Sequence, residues 1–179
     1  TGLCRSGTPA VRRQVDGHVA APLQPGARYT LEFTLGVPFE INHQDSARAE
    51  APLGTGTMWW GRWQGYLFTK IEGQTPAGLW EVHVGSTGCQ GSTTDVSGCA
   101  RPNRARVVLA DFDPSASTVT LDLAALFADS DLGVRSGASV GCASAPDDAD
   151  CAGVFPRLGL DVATGAPRDV APAFSLRVR

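Results

Sequence analysis

One lysine, Lys70, and one methionine, Met58, are all that the 179 residues hold of either type. No apolar run approaches the ~18 residues needed for a membrane-spanning helix, so no membrane span is expected. A single thioether excludes a methionine-rich copper carrier, and Met58 reads as a gap-filler in a core. The other cations are arginines, scattered rather than striped, and the net charge is only −3. A surface that tracks phosphates is therefore excluded, and no nucleic acid partner is expected. No histidine follows Cys89, Cys99, Cys142 or Cys151, which excludes the thiolate-then-histidine order of a blue-copper site. "GSTG" at residues 85–88 is not a nucleophile elbow, and no later histidine could complete that chain order; Ser86 reads as a turn hydroxyl. "DFDP" at Asp111–Pro114 and "PDDAD" at Pro146–Asp150 lack the ligand pattern of a calcium loop and read as solvated turns.

What is abundant is glycine and proline, 21 and 12 residues spread along the chain without a repeat. That distribution suits many short strands joined by turns. "ARYTLEFTLG" alternates with Tyr29, Leu31, Phe33 and Leu35 on one face and Thr30, Glu32 and Thr34 on the other, the pattern of a half-buried strand. Similar runs occur at Gly65–Ile71, Leu79–Val84, Arg106–Ala110, Thr118–Leu123 and Ala173–Val178. One stretch, "LDLAALFADSDL", has helical spacing at Leu123, Leu126 and Phe127. The stretch from about Val140 to Pro172 reads as loop held by a cysteine pair. The expected fold is all-β: an antiparallel, sandwich-like domain with long disulfide-held loops and one or two short helices. The length fits one domain over residues 1–179.

Five cysteines stand at 4, 89, 99, 142 and 151. The last four form two close pairs around polar loops, and neither pair has the C-x₂₋₄-C spacing usual for zinc. Of the three connectivities open to them, Cys89 with Cys99 and Cys142 with Cys151 closes the shortest loops. Disulfides imply an oxidising compartment, the periplasm or the cell exterior, whereas the other reading is buried free thiols in a cytosolic protein. Cys4 is left over, and its partner is expected in a segment ahead of this chain.

The three histidines are His18, His43 and His83. In a strand over Leu79–Val84, Trp80, Val82 and Val84 face one way while Glu81 and His83 face the other. Two imidazoles can hold copper at low coordination number, so His43 and His83 form a candidate metal pair; the plainer reading has His83 on a polar surface and His43 in a loop of turn residues. Three of the four tryptophans, Trp59, Trp60 and Trp63, crowd into "GTMWWGRWQGYLF". They could fill a core, stack on a ligand or be chemically altered.

The blocks "GVPFEINHQDSARAEAPL", "MWWGRWQGYLFTKIEG", "VHVGSTGC", "CARPNRARVVLADFD", "VTLDLAALF" and "GCASAPDDADCAGVFPRLGL" together resemble the four-Cys metallo-mystery pair proteins, the MbnP family. That resemblance implies a periplasmic or secreted, β-rich copper-binding protein, not itself an enzyme, encoded beside a di-haem MauG-like (MbnH-like) peroxidase. The partner oxidises one tryptophan to kynurenine, which then assists histidines in holding copper. Matched residue by residue, the family's "NH" falls on Asn42 and His43, "HLGSTGC" on His83 to Cys89, and "MxWxW" on Met58 and Trp60. His43 and His83 are thus the implied copper ligands and Trp60 the implied site of oxidation, with Trp59 and Trp63 as alternatives. The second tryptophan of "MxWxW" is Arg62 here, with Trp63 one place later, and Ala143 stands where many relatives carry methionine. The family's segment ahead of "CxxGT" is missing from this sequence. Two other readings remain at this stage: a carbohydrate- or surface-binding sandwich with exposed tryptophans, and a copper enzyme acting on oxygen.

Overall fold

The structure is a computed structural model that describes residues 22–54, 56–76, 78–92, 94–134, 136 and 139–178; Cys4 and His18 lie outside them. It is a β-rich fold with short helices and disulfide-linked loops. Among the described residues, no helix is long and apolar enough to cross a membrane.

Strand β1 (Tyr29–Leu35) shows the alternation written in its sequence, with Tyr29, Leu31, Phe33 and Leu35 half-buried and the residues between them exposed. Four strands form the largest sheet: β2 (Trp59–Gly61), β3 (Gly65–Thr75), β4 (Gly78–Gly85) and a two-residue β9 (Gly141–Cys142), in the order β2-β3-β4-β9. Its first two ladders are antiparallel and the β4–β9 pair is parallel, an exception to the antiparallel expectation. A hairpin of β5 (Thr87–Gly91) and β6 (Val96–Arg101) leads to β7 (Ala105–Phe112), which pairs with β1. Strand β8 (Ser117–Leu121) pairs with β10 (Phe174–Val178). The helices are α1 (Phe39–Asn42), α2 (Leu123–Leu126) and α3 (Cys151–Leu158).

The core forms where the buried face of β4 shares one cluster with α3. Trp80, Val82 and Val84 alternate on the strand, and Cys151, Val154, Phe155 and Leu158 repeat at helical spacing. This corrects the reading of Val140–Pro172 as loop. Its middle is an eight-residue helix with its apolar stripe fully buried. Two residues hid it. Pro156 removes a helical N–H from the interior, and Gly153 is a poor helix former. The structure explains the glycine: a Cβ there would collide with the Asp129 carbonyl and the Ser130 hydroxyl, so the bare Cα allows the close approach. The helix ends at Gly159 in the left-handed conformation (φ 83°), the usual glycine stop. The helix read around Leu123 is a single turn, Leu123–Leu126, capped by Asp122, whose carboxylate accepts from Ala124 N at 2.8 Å and Ala125 N at 3.2 Å.

A Cys142–Cys151 bond staples the first residue of α3 to β9, with both residues fully buried. The "PDDAD" turn that it closes is solvated only in part: Pro146, Asp147 and Ala149 are exposed, as expected, and Asp148 and Asp150 are not. Asp148 is buried, and its Oδ2 accepts from the Ser139 hydroxyl at 2.6 Å and the Ala143 N–H at 2.8 Å. A buried carboxylate needs such donors.

Replacing Phe155 by Ala should therefore cost about 3–5 kcal/mol, the loss expected for a large buried aromatic. Leu123→Ala, at a side chain 50% exposed, should change stability by under ~1 kcal/mol. Urea unfolding midpoints with the disulfides intact measure both.

Candidate metal centre

The site grows from a short helix and a glycine. Helix α1 turns at Pro38 and ends on Asn42, one of the most buried polar residues of the protein. Its amide Oδ1 accepts the Tyr66 backbone N–H at 2.9 Å, and its Nδ2 reaches Ser86 Oγ at 3.4 Å and His43 Nε2 at 3.2 Å. The side chain occupies the space a Cβ would take at residue 65, which is glycine in the left-handed region (φ 77°). Asn42 thus binds α1 to the start of β3 and to the residue after β4.

His43 follows directly and is half-buried. Its Nδ1 lies 2.9 Å from the Arg62 carbonyl oxygen. A carbonyl can only accept, so Nδ1 carries the proton and Nε2 keeps its lone pair; the Asn42 amide, donating to Nε2, agrees with that tautomer. The same Nε2 sits 3.4 Å from Cys99 Sγ. Cys99 is bonded to Cys89, its direct partner across the β5–β6 ladder. That loop was read from sequence only as a closed polar segment, and the structure makes it a β-hairpin. The contact between His43 and the bridge spans 56 residues and left no signal in the spacing.

His83 lies on β4 opposite Lys70 of β3, on the face away from the core. Glu72 Oε1 is 3.0 Å from its Nε2, and Glu81 Oε2 is 3.6 Å from its Nδ1. Glu72 and Glu81 are themselves register partners, and two like charges directly opposite repel. The His83 ring reaches both, and Lys70, 3.1 Å from Glu72, joins it in lowering the Glu72 carboxyl pKa below the ordinary glutamate value, Lys70 having the larger effect. Neither glutamate was singled out from sequence as a partner of the imidazole, although Glu81 shares its face by alternation.

The segment that holds Trp60 connects the two regions. The Trp60 ring lies against the bare Cα of Gly85 and meets the His83 ring at 6.3 Å between centroids, inclined 75°. Trp59 packs on Tyr66 at 4.7 Å. All three clustered tryptophans are half-buried. Each histidine is thus anchored to the segment 59–63: His83 through the Trp60 ring, His43 through the Arg62 carbonyl. Among the described residues, however, the ligand atoms gather into two separate clusters, His43 with Cys89 and Cys99, and Glu72 with Glu81 and His83.

Both imidazoles suit a metal chemically. In His43 one nitrogen faces an oxygen acceptor, the Arg62 carbonyl, and such an outer partner fixes the tautomer and raises the basicity of the other nitrogen; in His83 both nitrogens face carboxylates, Glu72 at 3.0 Å and Glu81 at 3.6 Å, so one of these contacts must yield for the ring to ligate. Among the described residues all four cysteines are joined in disulfides, so the neutral donors there are imidazoles.

Compared with known proteins, residues 11–144 match the MbnP family model. Among solved structures, the chain resembles MbnP from Methylosinus trichosporium at 36% identity and a TM-score of 0.73, over 86% of this chain and 64% of that one. The chain thus spans just under two thirds of that protein's length. A comparison with curated proteins returns no match.

Substituting Asn42 by Ala should strand the Tyr66 N–H in the interior and cost about 1–3 kcal/mol. Gln44→Ala, on an exposed side chain, should stay within about 0.5 kcal/mol. Nitrogen-15 NMR of the His43 ring, recorded at alkaline pH, should place the proton on Nδ1 in the wild type and show a mixture of tautomers once Asn42 is gone.

Proposed function

The chain belongs to the MbnP family, and from that premise we propose that it is a periplasmic or secreted copper-binding protein, not itself an enzyme. In this reading His43 and His83 are the imidazole ligands and Trp60 is the residue altered by a di-haem, MauG-like (MbnH-like) peroxidase. The observation that carries the reading is the tethering of both histidines to one tryptophan segment, with the Trp60 ring against His83 and the Arg62 carbonyl on His43.

The chemistry of the ring supports the assignment of Trp60. An intact indole N–H can only donate. Oxidative opening of the five-membered ring to kynurenine leaves an arylamine and a ketone, both with lone pairs, and so converts a donor beside His83 into an additional ligand. Copper, when bound, supplies a cation that imidazole nitrogen suits well. The protein's own residues do the positioning: the Arg62 carbonyl takes the Nδ1 proton of His43 and leaves the lone pair on Nε2, where the Asn42 amide donates and would have to yield to a metal, and Glu72 and Glu81 face the two nitrogens of His83, one of which would have to be released likewise. Two disulfides favour an oxidising compartment. A stacking platform for carbohydrate has less support, because Trp59, Trp60 and Trp63 are half-buried, and Trp59 and Trp60 lie edge-on to neighbouring rings.

Copper titration of protein isolated with its haem partner tests this reading. His43→Ala and His83→Ala should each lower affinity by at least ~10-fold, the scale of losing one of few ligands. Peptide mass spectrometry across residues 56–70 should find the kynurenine mass change on Trp60. Unmodified tryptophans in that material, with copper affinity untouched by either histidine variant, would reject it.

A further inference from the structure

We propose that reductive opening of the Cys89–Cys99 bridge creates, with His43, a second metal site that takes a soft monovalent cation, Cu(I). The three candidate ligand atoms already lie within 4.8 Å of one another. The imidazole contributes Nε2, since Nδ1 gives its proton to the Arg62 carbonyl; Nε2 lies 3.4 Å from Cys99 Sγ, and the Asn42 amide that now donates to it at 3.2 Å gives way to the metal and keeps its bond to Ser86. In the oxidised protein the sulfurs carry no negative charge and are poor ligands; the thiolate is the metal-binding form of cysteine. Once opened, the site offers two thiolates and one imidazole, a soft set that selects Cu(I).

The hairpin keeps the sulfurs together after the bond is broken. Cys89 and Cys99 are direct partners on the β5–β6 ladder, and the Thr87↔Arg101 and Gln90↔Gly98 pairs on either side hold that register independently of the bridge. The reaction balances with a dithiol reductant. Its thiolate attacks one sulfur of the bridge, and the mixed disulfide is resolved by the second thiol. The Cys89–Cys99 bond breaks, a disulfide forms in the reductant, and both cysteines leave protonated. Binding of Cu(I) then releases those two protons to water.

Access distinguishes the two bridges. Cys142 and Cys151 are fully buried, whereas Cys89 and Cys99 are half-buried, and Cys99 lines a cleft of about 290 Å³ beside Phe39, Ser97, Gly98 and Arg104. A mild reductant therefore meets Cys89–Cys99 first. The site needs neither His83 nor any tryptophan, so it stands apart from the proposed copper site. It shares the His43 imidazole, which makes the two metal states alternatives.

The test uses the full chain with Cys4→Ser throughout, reduced anaerobically with dithiothreitol, desalted and titrated with Cu(I) against a chromophoric chelator. Reduction should raise affinity for one equivalent of Cu(I) by about 100-fold or more, with an ultraviolet thiolate-to-copper band. The gain should vanish in Cys89→Ser/Cys99→Ser, fall by at least about 10-fold in His43→Ala, and persist in His83→Ala. Differential alkylation should find Cys89 and Cys99 free while Cys142 and Cys151 remain joined. The proposal is overturned if Cys142–Cys151 opens first, or if the serine variant gains affinity like the wild type. It is equally overturned if His43→Ala leaves the gain intact, as it would if reduction merely unfolded the chain and exposed thiols, a state that loss of near-ultraviolet circular dichroism would reveal. Failure of the His43/His83 reading has a different signature: unchanged copper binding by His83→Ala in the oxidised protein.

Discussion

A single buried amide organises the site. Asn42 closes the gap between helix α1, the first peptide of β3 and the Ser86 hydroxyl after β4, and it does so in a space made by the missing side chain of Gly65. An amide buried this deeply is tolerable only because its donors and its acceptor are both used. That requirement fixes its orientation, and with it the direction of the adjacent His43. The imidazole is then caught between a carbonyl on one nitrogen and an amide N–H on the other, so its protonation pattern follows from the fold. A loop histidine without these partners would sample both tautomers; this one presents a single lone pair in one direction.

The second histidine is held by opposing charges. Glu72 and Glu81 face each other across the β3–β4 ladder, an arrangement that costs energy unless a cation sits between them. Lys70, the chain's only lysine, places a cation beside Glu72, and the His83 ring bridges the two carboxylates. Exposed pairs of this kind contribute little to stability, so the cluster is better understood as a device for orientation. It pins a ring on the solvent-facing side of the sheet while Trp80, Val82 and Val84 on the same strand are locked into the core. The rigid face positions the reactive one.

Much of this was legible in the residues. Strict alternation revealed β1 and β4 and placed His83 off the core, because a period of two is unambiguous where one face is buried. The segment around Val140–Pro172 was not legible, since a proline and a glycine inside a short helix outweigh an apolar spacing that covers barely two turns. Helix α3 persists because Val154, Phe155 and Leu158 bury fully against β4 and a disulfide fixes its first residue; tertiary packing overrides propensity there. The β5–β6 hairpin escaped because its strands are rich in glycine and carry no alternating apolar face. Neither the contact of His43 with Cys99 nor that of His83 with Glu72 was readable, since both depend on register between elements that sequence spacing does not encode.

The two bridges therefore do different physical work, although they close loops of similar size, ten and nine residues. By loop entropy alone each would stabilise the fold by a comparable amount, about 2–4 kcal/mol. Their surroundings separate them. Cys142–Cys151 belongs to the apolar core cluster and is fully buried, so an attacking thiol has no access to it. Cys89–Cys99 lies on a hairpin outside that core, with an imidazole nitrogen 3.4 Å from Cys99 Sγ and a cleft that Cys99 lines. A bridge needed only to restrain the chain gains nothing from a basic nitrogen held 3.4 Å from its sulfur. Holding that nitrogen there requires Asn42, Gly65 and the Arg62 carbonyl together, so the arrangement is a property of the site rather than an accident of a surface loop.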